Sequence, residues 1–147
     1  MTLATEEERT THVFELVDEL EDIASTPNLA ESVRARLQDL ARRELTRSEP
    51  VRVAVAAKLL GLSERSVRNW AKEGVLTPAE TDSPRLLLDP ERLHEVMRLI
   101  KDLRKLGKNR DLIDLVWYRL SDHALLQRGD LLESLEQMAR GEGRRVR

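Results

Sequence analysis

Apolar residues in this 147-residue chain recur every three or four positions almost from end to end, and 26 of them are leucine. That period belongs to the α-helix, whose successive turns bring residues i, i+3 and i+4 onto one face. A short β-like stretch, Val51-Arg52-Val53, and the run Arg85-Leu86-Leu87-Leu88 depart from it and read as strand. A mainly α fold with a short β element is therefore predicted.

Punctuation divides the helical text. Thr5-Glu6-Glu7-Glu8 fits a capping box with Thr5 as N-cap. Val13, Leu16, Val17, Leu20, Ile23 and Ala24 form the first stripe. Ser25-Thr26-Pro27-Asn28 interrupts it, with Asn28 placed to cap a second helix. That helix carries Leu29, Val33, Leu37, Leu40 and Ala41 and ends near Leu45. Residues 1–47 are thus expected to form a helical hairpin that serves dimerisation or packing. Ser48-Glu49-Pro50 reads as a linker.

The next segment runs Ala54 to Leu60 as a compact helix, Gly61 as a turn, and Ser63 as N-cap of a helix from Glu64 to Lys72. Gly74 is placed as a left-handed stop. Helix, glycine turn and capped helix make a helix-turn-helix, with Val55, Ala56, Leu59, Leu62, Val67 and Trp70 as its expected core. Val75-Leu76, Thr77-Pro78, the turn Thr81-Asp82-Ser83-Pro84 and the strand ending at Leu88 predict a short β-hairpin, or wing. Asp89-Pro90-Glu91 is a strong helix start. That helix carries Leu93, Val96, Met97, Ile100, Leu103 and Leu106 and stops at Gly107. Asn109 is expected to cap another, with Leu112, Ile113, Val116, Trp117 and Leu120. A final helix is predicted from Asp130.

Composition narrows the chemistry. The chain is 35% charged and 3% aromatic, and it has no cysteine, which excludes disulfides, Cys-based zinc sites and thiol nucleophiles. Lys and Arg number 25 and Asp and Glu 27, a formal net charge of −2. That total hides two unlike halves. Residues 1–50 hold 6 cations and 12 anions, a net of −6; residues 51–147 hold 19 and 15, a net of +4. His12, His94 and His123 show no metal spacing, and Ser63, Ser66 and Ser121 lie near no His–Asp arrangement. No enzyme, metal or cofactor is expected. With no run of about 18 apolar residues and an acidic N-terminus lacking an apolar h-region, no membrane association and a cytoplasmic location are expected.

Val53 to Ser63, then Ser66-Val67-Arg68-Asn69-Trp70-Ala71-Lys72-Glu73-Gly74-Val75-Leu76, then Arg85-Leu86, and finally Leu99 to Gly107 follow one another in order and spacing. Together they resemble the MerR-like winged helix-turn-helix family over residues 51–120. The chain departs from that pattern in the fifty residues before the domain, in Lys108 and Arg110 after Gly107, and in Leu87 beside the wing arginine. More weakly, the end from Trp117 to Gly143 resembles the C-terminal tail of bacterial type II antitoxins, with residues 121–147 as a helix and basic tail for a partner or for oligomerisation.

The resemblance implies a sequence-specific regulator of double-stranded DNA, homodimeric, repressing its own operon, and the antitoxin of a toxin partner if the tail reading holds. An excisionase-like architectural protein, or an adaptor whose helix-turn-helix no longer meets DNA, are the alternatives. The implied nucleic-acid contacts are Ser63, Arg65, Ser66, Arg68, Asn69 and Lys72 on the recognition helix, Arg85 at the wing, and Arg52 and Lys58 beside them. Arginine suits guanine O6 and N7, and asparagine suits adenine. The six cations from Arg98 to Arg110, against Asp102 and Asp111, add a basic footprint. Trp117, Leu131, Leu132, Leu135 and Met138 are the implied partner-binding residues.

Overall fold

A computed structural model of the chain describes residues 2–122. The described elements are α1 (Leu3–Ala24), α2 (Glu31–Arg47), β1 (Val51–Arg52), α3 (Val53–Leu60), α4 (Glu64–Lys72), β2 (Leu87–Leu88) and α5 (Pro90–Lys105), followed by a sixth helix, α6, over residues 112–122. The fold is mainly α, a winged helix-turn-helix preceded by a helical hairpin, as the periodicity predicts. The helix expected from Asp130, with Leu131, Leu132, Leu135 and Met138, lies outside the described residues, as do His123 and most of the antitoxin-like tail. No described helix is long and apolar enough to cross a membrane.

Capping sets the helix boundaries, and three of the caps differ from expectation. The cap of α1 is Thr2, whose hydroxyl accepts from the Thr5 N–H at 3.2 Å. Thr5 therefore lies inside the helix. Asn28 does not cap α2. It sits in the turn at φ +64°, a left-handed conformation that asparagine tolerates. The N-cap is Ala30, with no side-chain hydrogen bond. Arg34 instead reaches back to the end of α1, donating to the carbonyls of Ala24 at 2.8 Å and Thr26 at 3.1 Å. It thereby satisfies acceptors that a helix end leaves orphaned. Asn109 does not cap α6 either. Asp111, at φ +54°, stands immediately before it, and its carbonyl accepts from the Leu115 N–H at 3.1 Å. Asp89 caps α5 as expected, accepting from the Arg92 N–H at 3.1 Å with Pro90 in the first turn.

The wing is shorter and better paired than predicted. Leu87 and Leu88 form β2, while Arg85 and Leu86 belong to the preceding loop, where the Ser83 hydroxyl accepts from the Arg85 N–H at 3.2 Å. β2 pairs antiparallel with β1, matching Val51 to Leu88 and Arg52 to Leu87. On its other edge Ala79 donates to the Leu87 carbonyl and Asp89 to the Thr77 carbonyl, both at 2.8 Å. The β-like stretch at Val51 thus becomes the outer edge of the wing, while Val53 opens α3.

One apolar core joins all of this. Phe14, Val17, Ala41 and Leu45 from the hairpin meet Val55, Ala56, Leu60, Val67 and Trp70 from the helix-turn-helix, with Leu93, Val96, Ile100 and Leu103 of α5 and Leu112, Val116 and Leu120 of α6. Leu59 and Leu62, expected in the core, pack at its edge. Leu106 is exposed. The hairpin stripe is rotated from its predicted centre. Phe14 joins Val17 and Ala24 inside, while Leu16, Ile23, Val33 and Leu40 face outward. α1 must present one side to α2 and another to α3 and α5, so its buried arc is not the leucine stripe alone.

A polar seam completes the docking of the hairpin. His94 of α5 is only 3% exposed. Its Nε2 lies 2.8 Å from the Asp18 carboxylate, and its ring meets Phe14 edge-on with centroids 5.0 Å apart. One Arg98 nitrogen donates to Asp18 at 3.1 Å and to Glu21 at 3.0 Å. Asp18, Glu21 and His94 are close enough to share a metal ion. The Arg98 guanidinium, bonded to both carboxylates, already supplies the positive charge they need.

Replacing Asp18 by Ala leaves a buried imidazole without its partner. It is expected to cost about 1–3 kcal/mol, read as a lowered urea midpoint, whereas Leu106→Ala is expected to stay within about 0.5 kcal/mol.

Candidate nucleic-acid interface

The display of α4 follows from what it buries. Val67 is fully buried and Trp70 is 5% exposed. With one face committed to the core, helical geometry turns Arg65, Arg68, Asn69 and Lys72 outward, and all four are exposed. Ser63 fixes the start. Its hydroxyl accepts from the Ser66 N–H at 3.1 Å and lies 3.0 Å from the Ser66 hydroxyl. Both serines are thus engaged in the cap, and Ser66 is half-buried. The capped end presents the positive pole of the helix to solvent.

Gly74 ends α4. It adopts φ +88°, and the Val75 N–H then reaches back to the Trp70 carbonyl at 2.9 Å. This is the left-handed closure that favours glycine. In the turn before α4, Gly61, at φ +67°, faces Arg104, whose guanidinium would lie 2.9 Å from any added Cβ. Arg104 donates to the Gly61 carbonyl at 3.4 Å.

Three arginines from distant parts of the chain converge beside α4. Arg52 from β1, Arg68 from α4 and Arg85 from the wing loop line one shallow cleft, together with Glu64. Glu64 pairs with Arg68 at 3.7 Å, but both side chains are more than half exposed, so this pair holds the guanidinium weakly. Of the three, Arg85 makes no ion pair among the described residues, and a guanidinium of that kind can grip a phosphate in forked hydrogen bonds. Asn69 lies on the other flank of α4, in a hollow shared with Glu73, Ile113 and Trp117. Trp117 is 47% exposed and leans over the exit of α4, its ring 3.8 Å from where a Cβ on Gly74 would stand.

The expected cations fall into two groups. Among the described residues Arg65, Lys72 and Arg85 make no ion pair. Arg52 and Lys58 do: Arg52 holds Glu6 at 3.1 Å and Lys58 holds Glu7 at 3.5 Å. The acidic first turns of α1 therefore lie against the winged helix-turn-helix and neutralise two of its cations. Sequence reading missed this pairing, because residues 46 and 51 positions apart carry no local signal. The run Glu6-Glu7-Glu8 was the only hint. Arg98 likewise leaves the expected basic footprint for the seam with α1, and the exposed remainder is Lys101, Arg104, Lys105, Lys108 and Arg110.

Residues 51–116 match the family model described as MerR HTH family regulatory protein. The match begins at β1 and ends within α6, so it spans the helix-turn-helix, the wing and α5. Over this stretch the winged helix-turn-helix is MerR-like, similar to the one that DNA-binding transcriptional regulators of that family carry. No curated protein and no solved structure matches the chain.

Removing the cap of α4 tests how its exposed face is held. Ser63→Ala is expected to lower stability by about 1 kcal/mol in urea unfolding, and Ser63→Asp, which keeps an acceptor, by much less.

Proposed function

We propose that the protein is a sequence-specific DNA-binding transcriptional regulator that seats α4 in the major groove and acts as a homodimer on paired half-sites. The observation that carries this reading is the face of α4. A capped helix anchored by Val67 and Trp70 displays Arg65, Arg68, Asn69 and Lys72 beside the wing arginine Arg85. In this reading Arg65 and Arg68 address guanine edges and Asn69 an adenine, the pairings their donor patterns favour. Arg85 holds a backbone phosphate, while Ser63 and the first amides of α4 meet another. Paired half-sites follow from the two-fold symmetry with which helix-turn-helix proteins address duplex DNA. Repression of its own operon is the simplest output, since a protein bound over a promoter excludes polymerase.

Fluorescence anisotropy on duplexes that the protein itself enriches from random-sequence DNA tests the assignment. Arg65→Ala and Arg68→Ala are each expected to weaken binding by about 1–3 kcal/mol and to relax preference at one base pair. Arg85→Ala is expected to weaken all duplexes alike and to reduce the salt slope by about 1. A parent protein that enriches no sequence would falsify the reading.

The acids of α1 yield a second expectation. Glu6→Gln with Glu7→Gln releases Arg52 and Lys58. Binding is expected to tighten, and the slope of log affinity against log salt to steepen by up to about 1.8 if both cations then meet phosphates. An unchanged slope would show that neither cation reaches DNA.

A further inference from the structure

Of the large apolar side chains exposed among the described residues, Leu3, Leu16 and Ile23 belong to α1 and Val33 and Leu40 to α2, and the last four are spaced to share helix faces. They are 37%, 45%, 42% and 42% exposed. Leu16 and Ile23 are seven residues apart on α1, and Val33 and Leu40 are seven apart on α2, so each pair shares one helix face. Half-buried Leu20 and Leu37 lie at helical spacing between them. The opposite flank of α1 is taken, because Glu7, Asp18 and Glu21 pair with Lys58, His94 and Arg98 of the DNA-binding unit. The apolar face therefore looks away from α4 and the wing.

We propose that this outer face of the α1–α2 hairpin is the homodimer interface, with α1 of one copy packed along α2 of the other across a two-fold axis. Charge selects a second copy as the occupant. α1 carries eight acids against Arg9, a net of −7, while α2 carries five arginines against three acids, a net of +2. The charges beside the patch repeat this contrast. Glu19 stands three residues after Leu16 and four before Ile23. Arg36 stands three after Val33 and four before Leu40, and Arg43, which also pairs with Asp39 on its own helix at 3.1 Å, three after Leu40. All three are exposed. Packing α1 on α2 of the partner brings Glu19 toward Arg36 and Arg43 twice in one symmetric contact, as an isologous interface requires. Packing α1 on α1 would oppose acid to acid.

Size agrees. The helices have 22 and 17 residues, which makes them roughly 33 and 26 Å long. Side by side they present on the order of 600 Å² per copy, so two copies bury about 1,200 Å², the lower end of what a specific stable interface uses. Six aliphatic side chains per copy then leave water. The arrangement deepens the paired-half-site reading, and it is tested without DNA so that either can fail alone.

The experiment is sedimentation velocity on the full chain at tens of micromolar. The parent is expected to sediment as a dimer. Leu16→Glu with Leu40→Glu is expected to raise the dimer dissociation constant by about a hundredfold or more, with unchanged helicity by circular dichroism. Leu106→Glu, an exposed leucine away from the hairpin, is expected to leave it unchanged. The charge arrangement has its own readout. Glu19→Arg alone and Arg36→Glu alone each weaken self-association, and an equimolar mixture of the two variants associates more tightly than either. A monomeric parent, as expected if residues 123–147 or another protein occupy the face, overturns the proposal. So does a dimer indifferent to Leu16→Glu with Leu40→Glu. Failure of the mixed charge variants to recover association overturns the α1-on-α2 packing.

Discussion

The burial of Val67 and Trp70 fixes how α4 sits on the core. These two side chains turn a nine-residue helix whose other positions are largely polar into an oriented object. Once they enter the core, the outward placement of Arg65, Arg68, Asn69 and Lys72 is geometry rather than choice. Every neighbouring element can be read as support for that orientation. α3 supplies Val55, Ala56 and Leu60 beneath it, α5 closes the core from the other side, and the Gly74 closure sends the chain into the wing without a clash.

Charge is distributed to the same end. A near-neutral chain would be a poor ligand for a polyanion if its charges were mixed evenly. Here acids concentrate in α1, and the first of them lie against Arg52 and Lys58, while Arg65, Lys72 and Arg85 remain outside any ion pair among the described residues. The hairpin is more than an appendage. It shares the core through Phe14, Val17, Ala41 and Leu45, and the His94–Asp18–Arg98 seam gives that shared surface a defined register. A hairpin docked in this way leaves Leu16, Ile23, Val33 and Leu40 exposed, on the flank opposite the acids that pair with α3 and α5.

The legible parts of this fold were those whose cause is local. The Ser63 cap, the Asp89-Pro90 start, and the left-handed glycines at 61, 74 and 107 are each determined within four residues, and each stands where the local pattern puts it. The misplaced caps at Thr5 and Asn109 yielded to a suitable residue nearby, Thr2 and Asp111, while Asn28 took the left-handed turn position and left α2 without a side-chain cap. The hairpin stripe was legible as a stripe but not in its rotation. Phe14 against Leu16 is decided by which neighbours press on α1, not by the spacing of leucines. The face of α4 was legible because its two buried residues are flanked by polar ones on both sides.

The helical elements, the turn between α3 and α4, the side chains that α4 displays, and the uneven charge of the two halves can all be read along the chain. All of these follow from short-range periodicity, capping and counting. Packing of the whole chain set the rest: Arg52, Arg68 and Arg85 line one cleft, β1 pairs with the wing, Glu6 and Glu7 occupy two cations of the winged helix-turn-helix, and Arg98 serves the hairpin seam. The physical reason is the same in each case. These contacts join residues tens of positions apart, and their partners are selected by how helices of fixed shape pack around a shared core, which no local pattern encodes.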